Sequence, residues 1–474
     1  MASARLTTGM LRSLRLTSSR SARNGSVALI VSALAALPAA SQASSEDSLT
    51  FAAARERLGH VSAALEAANA GVRAKRDLSS ATRHLRWPDV SIEARELDYR
   101  KTLDLSVGES LAGALHLPPT LRSVQQGWLF RPIVTATLPL YTGGRIGAAQ
   151  EASAASVRQA DAERDIVAQT LTVQLVQAYF GQQLAERALV VRRDVRDGLQ
   201  QHLLDAEALE KQGLATKAQR LQAVVARDEA EREYAKSVND LVTARSALEI
   251  LLRTDAPVAA ATPLFVIATP LASLADFKSR ALAQHPQLTR LRAIGDQAKQ
   301  EVRVQSARLK PELYAFSQYD LHRKDALLTD PDWAVGFGLR YAVLTGSGRL
   351  EHVAAAREQE AQAEAGLRDV AQQLEIGVVT AFDELDTWRS NFLLLESDVV
   401  QADENVRLQE LSFREGESTS LDVIDARLRL GRARIDRAQA AYQFDVALAR
   451  LLDLSGLAGE YDTYVQRADR VLEP

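Results

Sequence analysis

The sequence predicts a mainly α-helical, internally duplicated chain that also contributes four β-strands to a membrane barrel shared between copies. Three observations carry this prediction. Glycine landmarks recur at a nearly constant spacing, apolar residues repeat every seven positions over long stretches, and short segments alternate between apolar and polar residues. The composition agrees with long helices, since 46% of the residues are hydrophobic and only 5% are aromatic.

Residues 1–43 predict an export signal peptide. They contain no acidic residue, carry five arginines, and lead into the apolar run Val27–Leu37, which is too short to span a bilayer. Small residues follow, with Ser41 and Ala43 at the positions that define a cleavage site, so we expect cleavage after Ala43. An organelle transit peptide is the alternative, although a compact apolar run fits it poorly.

Charge and cysteine content exclude several classes of protein. The formal net charge is −4, and loss of the basic leader makes the mature chain more acidic, which argues against nucleic-acid binding. The absence of cysteine excludes disulfides, thiolate metal sites and a lipid-modified N-terminal cysteine. No segment after residue 43 offers about 18 consecutive apolar residues, so only strands could take this chain across a membrane.

The chain contains the same pattern twice. A proline before a strand-like run, a glycine turn and an interhelical glycine recur in order, and both glycine pairs are separated by about 203 to 204 residues, which indicates a structural duplication. The landmarks are Pro88 and Pro311, Gly144 and Gly348, and Gly213 and Gly416.

The landmarks divide the chain into successive segments. Each repeat is predicted to contain a helix, a strand pair, a long helix and a return helix. The first strand pair lies at about 87–140 and includes an extra loop at about 101–127, and the second lies at about 311–344. The predicted segments are the signal peptide at 1–43, the first repeat at 44–254, a linker at 255–271, the second repeat at 272–454 and a C-terminal tail at 455–474.

A seven-residue apolar repeat predicts coiled-coil packing of the long helices. It runs from Leu374 to Val406 in the second repeat and resumes at Phe413, and the return helix repeats it from Leu421 through Ile424 and Leu428. Such a sustained pattern demands left-handed supercoiling against another helix. The long helices of about 63 residues would each span about 95 Å, which two helices of about 35 residues could match if stacked end to end. An ordinary soluble bundle is the alternative.

Two strand-like runs have one apolar face. Val90, Ile92 and Ala94 alternate with polar residues, and the odd positions from Val335 to Tyr341 alternate with small or basic ones. This period suits a strand between lipid and water, although a strand on a soluble core is the alternative. Three of the four tryptophans lie near the starts of strands, as expected for an interfacial girdle. They are Trp87, Trp128 and Trp333.

Four strands leave two edges that hydrocarbon cannot satisfy, and they cannot close into a barrel alone. The barrel must therefore be shared between chains. A dimer would give eight strands with a filled interior, whereas a trimer would give twelve with room for water.

The residues collected so far resemble the TolC-like outer membrane efflux family over essentially the whole mature chain. The segments 138–145 (LPLYTGGR) and 341–349 (YAVLTGSGR) resemble the family's barrel-to-helix junction, whose residues here are Pro139, Gly143, Gly144, Gly346 and Gly348. The segment 413–426 (FREGESTSLDVIDA) resembles its periplasmic tip turn.

The resemblance implies a trimeric 12-stranded outer-membrane β-barrel continued by a long coiled-coil α-barrel in the periplasm. The implied function is an exit duct for efflux or protein secretion in the cell outer membrane. The implied partners are two further copies of the chain, outer-membrane lipid, a periplasmic adaptor (membrane fusion) protein and an inner-membrane pump of RND or ABC type.

Within the resemblance, Asp422 and Asp425 match the paired aspartates of the family's pore constriction. The turns at Gly213 and Gly416 end the longest helices farthest from the membrane, so we expect them to be the adaptor-docking tips. Three residues apart, the two carboxylates share a helix face near a helix N-terminus, where they are also favoured simply as capping and surface groups. The sequence departs from better-known members where Ser418 replaces a tip arginine and where Ala218 and Gln219 replace a Thr and an Asp, so the resemblance does not extend to a salt-bridged lock between the repeats.

No catalytic site is predicted. The seven histidines are scattered without metal-ligand spacing, so we expect neither a metal nor another cofactor. The run Gly346-Ser-Gly-Arg349 lacks the Gly-Lys-Ser/Thr ending of a phosphate loop, and a sharp turn explains it together with its first-repeat counterpart. A soluble periplasmic coiled-coil adaptor or structural protein remains the main alternative function, and an envelope enzyme is the other.

Overall fold

The structure of the chain is a computed structural model, and it describes residues 47–106, 108–116, 118, 120–322, 331–344 and 346–472. The predicted signal peptide lies outside these residues. Among the residues described, no helix combines the length and the apolar character that a membrane crossing requires.

The first repeat contains one very long helix, which follows a pair of long strands. Short 3₁₀ segment His84–Arg86 connects the leading helices to the strands. The elements are β1 (Asp47–Leu49), α1 (Phe51–Val61), α2 (Ala63–Arg83), β2 (Asp89–Ser106), α3 (Glu109–Leu115), β3 (Thr120–Tyr141), α4 (Arg145–Lys211), α5 (Lys217–Leu252), β4 (Val258–Ala260) and β5 (Phe265–Val266).

The second repeat has the same order of principal elements and shorter strands. Its long helix contains 66 residues, against 67 in the first repeat. The elements are α6 (Leu274–Gln284), α7 (Pro286–Ala307), β6 (Glu312–Asp320), β7 (Trp333–Arg340), α8 (Arg349–Arg414), α9 (Ser420–Leu454), α10 (Tyr461–Val465) and β8 (Arg470–Val471).

The four principal strands form one antiparallel sheet in the order β2-β3-β6-β7. The loop expected at about 101–127 is mostly strand, so that expectation was wrong. Strand β2 continues to Ser106 and pairs with β3 from Thr120 onwards, and Arg122 of β3 donates to its cross-strand partner Asp104 at 2.8 Å, which supports the extended pairing. The two strands therefore extend well past the ends of β6 and β7.

Each leading helix is broken into two. Ser62 ends α1 and caps α2, its hydroxyl accepting a hydrogen bond from the Leu65 backbone N–H. In the second repeat the break falls at Pro286, where the missing backbone N–H and fixed φ of proline suit the first turn of a new helix. The Nδ1 atom of His285 accepts from the Gln287 N–H at 3.1 Å and caps that helix.

Helix α4 contacts four shorter helices along its length. They are α2 and α5 of its own repeat and α7 and α9 of the second repeat. The predicted seam of α8 is buried at most of its positions, including Leu374, Val378 and Phe392. On α9 the prediction was wrong for Leu421 and Leu428, which are exposed. Ile424, Ala438 and Leu452 are buried as predicted, and Val423 and Leu430 are buried beside this seam, because α9 packs against both α4 and α8.

Close approach of α9 to α4 depends on a glycine that interrupts the apolar repeat. A Cβ atom at Gly431 would lie 2.5 Å from Cγ2 of Val195, well inside contact distance. The absence of a side chain here therefore lets the helix backbones come together.

The principal core surrounds the middle of the helical region. Aromatic rings from four segments meet there, and the Tyr179 hydroxyl donates to the Leu49 carbonyl at 2.6 Å and accepts from the Thr262 N–H at 2.7 Å. These contacts attach β1 and the linker to α4. The rings belong to Phe51, Tyr179, Phe180, Phe265 and Tyr461.

One carboxyl group lies inside this core. Asp445 of α9 is completely buried, and neither of its side-chain oxygens has a hydrogen-bond partner of good geometry. Burial raises the pKa of Asp445 well above its usual value, so the neutral acid is the form that this core favours. This explains how an aspartate can occupy a gap in the apolar repeat.

Candidate functional site

The four-stranded sheet has one apolar face that points away from the rest of the chain. In the register, Val90, Ile92 and Ala94 of β2 and even-numbered residues of β3 share this face with odd-numbered residues of β6 and β7, whereas farther along β2 the same side carries Glu96 and Asp98. Large side chains on it are widely exposed, and Phe337 reaches 77%. The most exposed members are Val90, Ile92, Trp128, Phe130, Trp333, Val335, Phe337 and Leu339.

The opposite face of the sheet is polar. Hydroxyl groups of Ser91 and Thr135 lie 2.9 Å apart across β2 and β3. Next along β3, the Arg131 guanidinium pairs with the Asp320 carboxylate at 3.1 Å, with only 3% of the Asp320 side chain exposed. A sheet with one apolar and one hydrated face is what a barrel between lipid and water requires.

Two glycines of β7 make room for aromatic rings on the polar face. The ring of Phe316 lies 3.1 Å from where a Cβ atom of Gly336 would be, and the ring of Tyr314 covers Gly338 even more closely. The guanidinium of Arg340 lies over the Tyr314 ring. The small residues that alternate with the apolar residues of β7 therefore leave space into which the aromatic rings of β6 pack.

The outer strands β2 and β7 each have one edge without a strand partner among the described residues. Strand β2 contains 18 residues and β7 contains eight. The backbone N–H and C=O groups along these edges would be unpaired in lipid, and this makes the sheet of a single chain unstable there.

Tryptophan placement agrees only in part with the girdle expected from sequence. Trp128 and Trp333 lie on the apolar face, as the register requires. Trp87 instead lines a groove with Ser91 and Thr135, which belong to the polar face, so its expected place in the lipid-facing girdle was wrong. The Trp87 ring packs edge-on against His84 of the 3₁₀ turn before β2, with centroids 4.6 Å apart, and it stays 65% exposed.

The first strand-to-helix junction is a tight turn built on two glycines. Gly143 and Gly144 have φ values of 67° and 97°, in the left-handed region. A side chain at Gly143 would also meet the Ala307 carbonyl oxygen at 2.8 Å, so this glycine permits close contact with the end of α7. Pro139 lies beside a register shift between β3 and β6, which ends their regular pairing.

The second strand-to-helix junction, from β7 to α8, uses one left-handed glycine where the first uses two. Gly348 takes a left-handed φ of 55° immediately before α8, whereas Gly346 has no such conformation and open space around its Cα. The Arg349 guanidinium fixes this turn by donating to the carbonyl oxygens of Ala342 and Arg308, at 2.6 and 3.0 Å. In the first repeat, Arg145 instead pairs with Glu312 at 3.0 Å.

The tip turns at the other end of the long helices are nearly identical. Gly213 and Gly416 have φ values of 76° and 80°, and a Cβ atom at either would meet nothing within 4 Å. The N–H groups that follow, of Leu214 and Glu417, donate back to Leu209 and Ser412. These glycines are therefore required by backbone conformation and leave an open surface around the turn.

A capping box begins each return helix after the tip turn. Thr216 and Gln219 exchange hydrogen bonds in the first repeat, and Thr419 and Asp422 do so in the second. Hydrogen bonds from Thr419 lower the pKa of the Asp422 carboxyl. Asp422 thus caps α9, and both Asp422 and Asp425 are exposed on the same helix face.

Comparison with known proteins identifies the second repeat by sequence. Residues 278–457, which run from α6 past the end of α9, match the model of a family described as outer membrane efflux protein. This part of the chain is similar in sequence to the outer membrane efflux proteins. The resemblance seen in its junction and tip motifs is thereby confirmed. No curated protein matches the chain.

Solved structures extend the comparison from the second repeat to nearly the whole fold. CusC, whose crystal structures concern folding and transmembrane channel formation, aligns with a TM-score of 0.71 at 16% identity over 86% of this chain and 92% of its own. VceC, an outer membrane protein of Vibrio cholerae, gives 0.68 at 16% identity over 86% and 96%. MtrE, an outer membrane channel of Neisseria gonorrhoeae in its open state, gives 0.70 at 19% identity over 86% and 89%.

These similarities establish the fold class. The chain has the combination of a β-barrel part and a long helical part that its sequence predicted.

Proposed function

We propose that this chain is one protomer of a trimeric exit duct for efflux or secretion, placed in the cell outer membrane with a long periplasmic extension. One observation carries the proposal: a sheet with an exposed apolar face continues directly into two helices of 67 and 66 residues. At 1.5 Å per residue each helix spans about 100 Å. Such an arrangement connects a membrane-embedded sheet to a helix end about 100 Å away in the periplasm.

Assembly with other copies follows from two different sides of the chain. On one side lies the free edge of β2 with helix α5, whose Val225, Val242 and Ile250 are exposed. On the other lies the free edge of β7 with helix α8, whose Ile376 and Val400 are exposed. Contact between unlike sides generates a ring when the rotation closes.

The junction at the base of the sheet adds an apolar contact for the neighbouring copy. Val343 and Leu344, which follow β7, are 81% and 93% exposed. Leu85 and Trp87, which precede β2, are also exposed and lie at the strand that would adjoin the next copy's β7. Burial of these side chains would favour association at about 25 cal/mol per Å² of apolar surface.

Three copies are the number that suits a duct. Eight strands from a dimer would enclose an interior filled by side chains, whereas twelve strands leave space for water and cargo. We assign the chain passive passage and no catalytic reaction. A soluble adaptor is not favoured, because it would gain nothing from a sheet with an exposed apolar face.

Chemical cross-linking in native membranes should give a ladder that ends at three chains. A ladder that ends at one or two chains would refute the trimer.

Two arginine substitutions provide a matched control for the same experiment. Phe337→Arg places a charge on the apolar face and should reduce the yield of trimer, since arginine near the bilayer centre costs about 2–4 kcal/mol. Ala334→Arg places the same charge on the polar face of the same strand and should leave the trimer nearly intact. Equal behaviour of the two variants would contradict the assignment of the faces.

We further propose that Asp422 and Asp425 line a cation-selective constriction at the tip. Their exposure on one face of α9, just after the tip turn, supports this role, and threefold symmetry would give six carboxylates in a narrow ring. Capping by Asp422 is compatible with it, because a capping carboxylate keeps its negative charge.

The Asp422→Ala/Asp425→Ala double variant should show weaker cation preference and weaker block by multivalent cations in single-channel recordings. The buried stripe of α9 passes through Val423, Ile424 and Ala426, so the double variant should still assemble. Wild-type selectivity and block in this variant would place the constriction elsewhere.

The tip turns at Gly213 and Gly416 are proposed to bind a periplasmic adaptor, which in turn would connect the duct to an inner-membrane pump. They end the longest helices at the point farthest from the sheet, and their surroundings are open.

Gly416→Val should weaken co-purification of the adaptor while leaving the trimer intact, because a β-branched residue resists the left-handed conformation. Gly295→Val, in the middle of α7 with open space around it and no left-handed φ, is the matched control. Adaptor capture that Gly416→Val leaves unchanged would count against docking at this turn.

A further inference from the structure

A buried polar contact joins the two helical hairpins near the tip. Nε2 of His202, on α4, lies 2.7 Å from the Ser420 hydroxyl oxygen at the start of α9. His202 is 4% exposed and Ser420 is fully buried. The Ser420 hydroxyl also lies 3.4 Å from the Gln219 carbonyl of α5, so the contact involves both hairpins, α4–α5 and α8–α9.

The surroundings of His202 favour a neutral ring. The Phe413 ring of α8 packs against it at 4.8 Å between centroids, and Val423 of α9 lines the same site. Burial, with a smaller effect of the nearby Arg427 guanidinium, lowers the pKa of His202 to about 4, while Asp205 acts in the opposite direction. The hydrogen bond to Ser420 is therefore made by a neutral histidine above that pH.

Charged groups around His202 are already paired with one another. On α8, Glu410 pairs with Arg427 of α9, and Arg414 lies 3.7 Å from Asp205 of α4. On α5, Arg220 follows Gln219 and pairs with Glu210 at 2.7 Å. Asp422 and Asp425 are on the exposed face of α9, opposite the buried Ser420 and Val423.

Arg427 is held against α4 by a notch in that helix. A Cβ atom at Gly198 would overlap the Arg427 guanidinium, so the glycine is what allows this cation to lie one turn from His202. A second positive charge on His202 would therefore lie in a buried contact and face Arg427, whose side chain is 22% exposed. Separation of the hairpins would hydrate both groups and relieve that repulsion.

We propose that His202, bonded to Ser420 and facing Arg427, holds the two hairpins together at neutral pH and releases them when acid protonates it. The inference rests on the proposed duct, whose tip these hairpins form. It gives this chain a contact between repeats that does not require the tip arginine replaced by Ser418.

The direction of the pH effect follows from linkage. In the separated state the histidine is in water, where its pKa returns towards about 6.5, so that state binds the proton more readily. The joined state is fully favoured above about pH 6.5 and loses ground as the pH falls towards 4. Between pH 7.5 and 5 the ratio of separated to joined hairpins should rise about 30-fold.

The test measures the distance between the hairpin tips in one chain by pulsed EPR. The chain contains no cysteine, so Leu214→Cys and Glu417→Cys supply the only sites for spin labels, and both positions are exposed. Labelled full-length protein in detergent, diluted with unlabelled protein, should gain a longer distance as the pH falls from 7.5 to 5.

Two further variants separate the histidine from other acid effects. His202→Gln can still bond to Ser420 but cannot become charged, and it should abolish the pH response. His285→Gln removes the other buried histidine, which is 6% exposed and lies far along the chain in the α7 cap, and it should respond like the parent.

Ser420→Ala provides an independent arm if His202→Gln does not fold. It removes the hydrogen bond, so it should increase the separated fraction at pH 7.5 about fivefold while keeping a response to acid. A distance that ignores pH in the labelled parent, a response that persists in His202→Gln, or a Ser420→Ala distance equal to the parent's at pH 7.5 would each overturn the proposal.

A second measurement on the same sample, its oligomeric state, tests the proposed duct independently of the His202 contact. The label distance lies within one chain, whereas the oligomeric state of the same sample reports on the trimer. A pH response in a chain that is not trimeric would support the His202 contact and contradict the proposed function.

Discussion

The structure depends most on the backbone hydrogen bonds that its sheet lacks. Strands β2 and β7 leave edges that water could satisfy and hydrocarbon cannot, while the exposed apolar face of the same sheet cannot remain in water. Only a closed ring of copies meets both demands. In the proposed assembly the long helices would follow the strands into a second ring, because the turns at Gly144 and Gly348 connect each strand pair directly to its helix.

Duplication gives the two repeats the same geometry and different chemistry. Thr216 and Thr419 begin equivalent return helices with equivalent capping boxes, yet the first uses Gln219 where the second uses Asp422. The residue directly after the capping threonine is exposed Lys217 in the first repeat and buried Ser420 in the second, and Ser420 contacts His202 of the other hairpin. The second hairpin therefore carries the charges proposed for the constriction and also the contact proposed to restrain it.

Local signals in the sequence were sufficient for the helices and turns. The turns were predicted from glycines, and the structure gives a left-handed φ to Gly144, Gly213, Gly348 and Gly416. The return helices begin at Lys217 and Ser420, as expected from the residues after each tip turn. Gly346 also lies in the predicted junction, but its own backbone does not require glycine.

Features that depend on packing between distant segments were not predictable. Trp87 follows a 3₁₀ turn and lines a groove of the polar face, and the exposed Leu421 and Leu428 fit the apolar repeat as well as buried leucines do. His202 and Ser420 lie 218 positions apart, and nothing local marks either as a contact residue. Gly198 was the only available signal, since glycine within a long helix often marks a close approach.

Hydrogen exchange at the strand edges tests the central claim most directly. In protein reconstituted in lipid bilayers, the account predicts that backbone amides along the edge of β7, and along the part of β2 that β7 of the next copy can reach, exchange as slowly as those of the interior strands β3 and β6, because another copy pairs with them. Fast exchange confined to those two edges would show that the sheet remains open and would contradict the shared barrel.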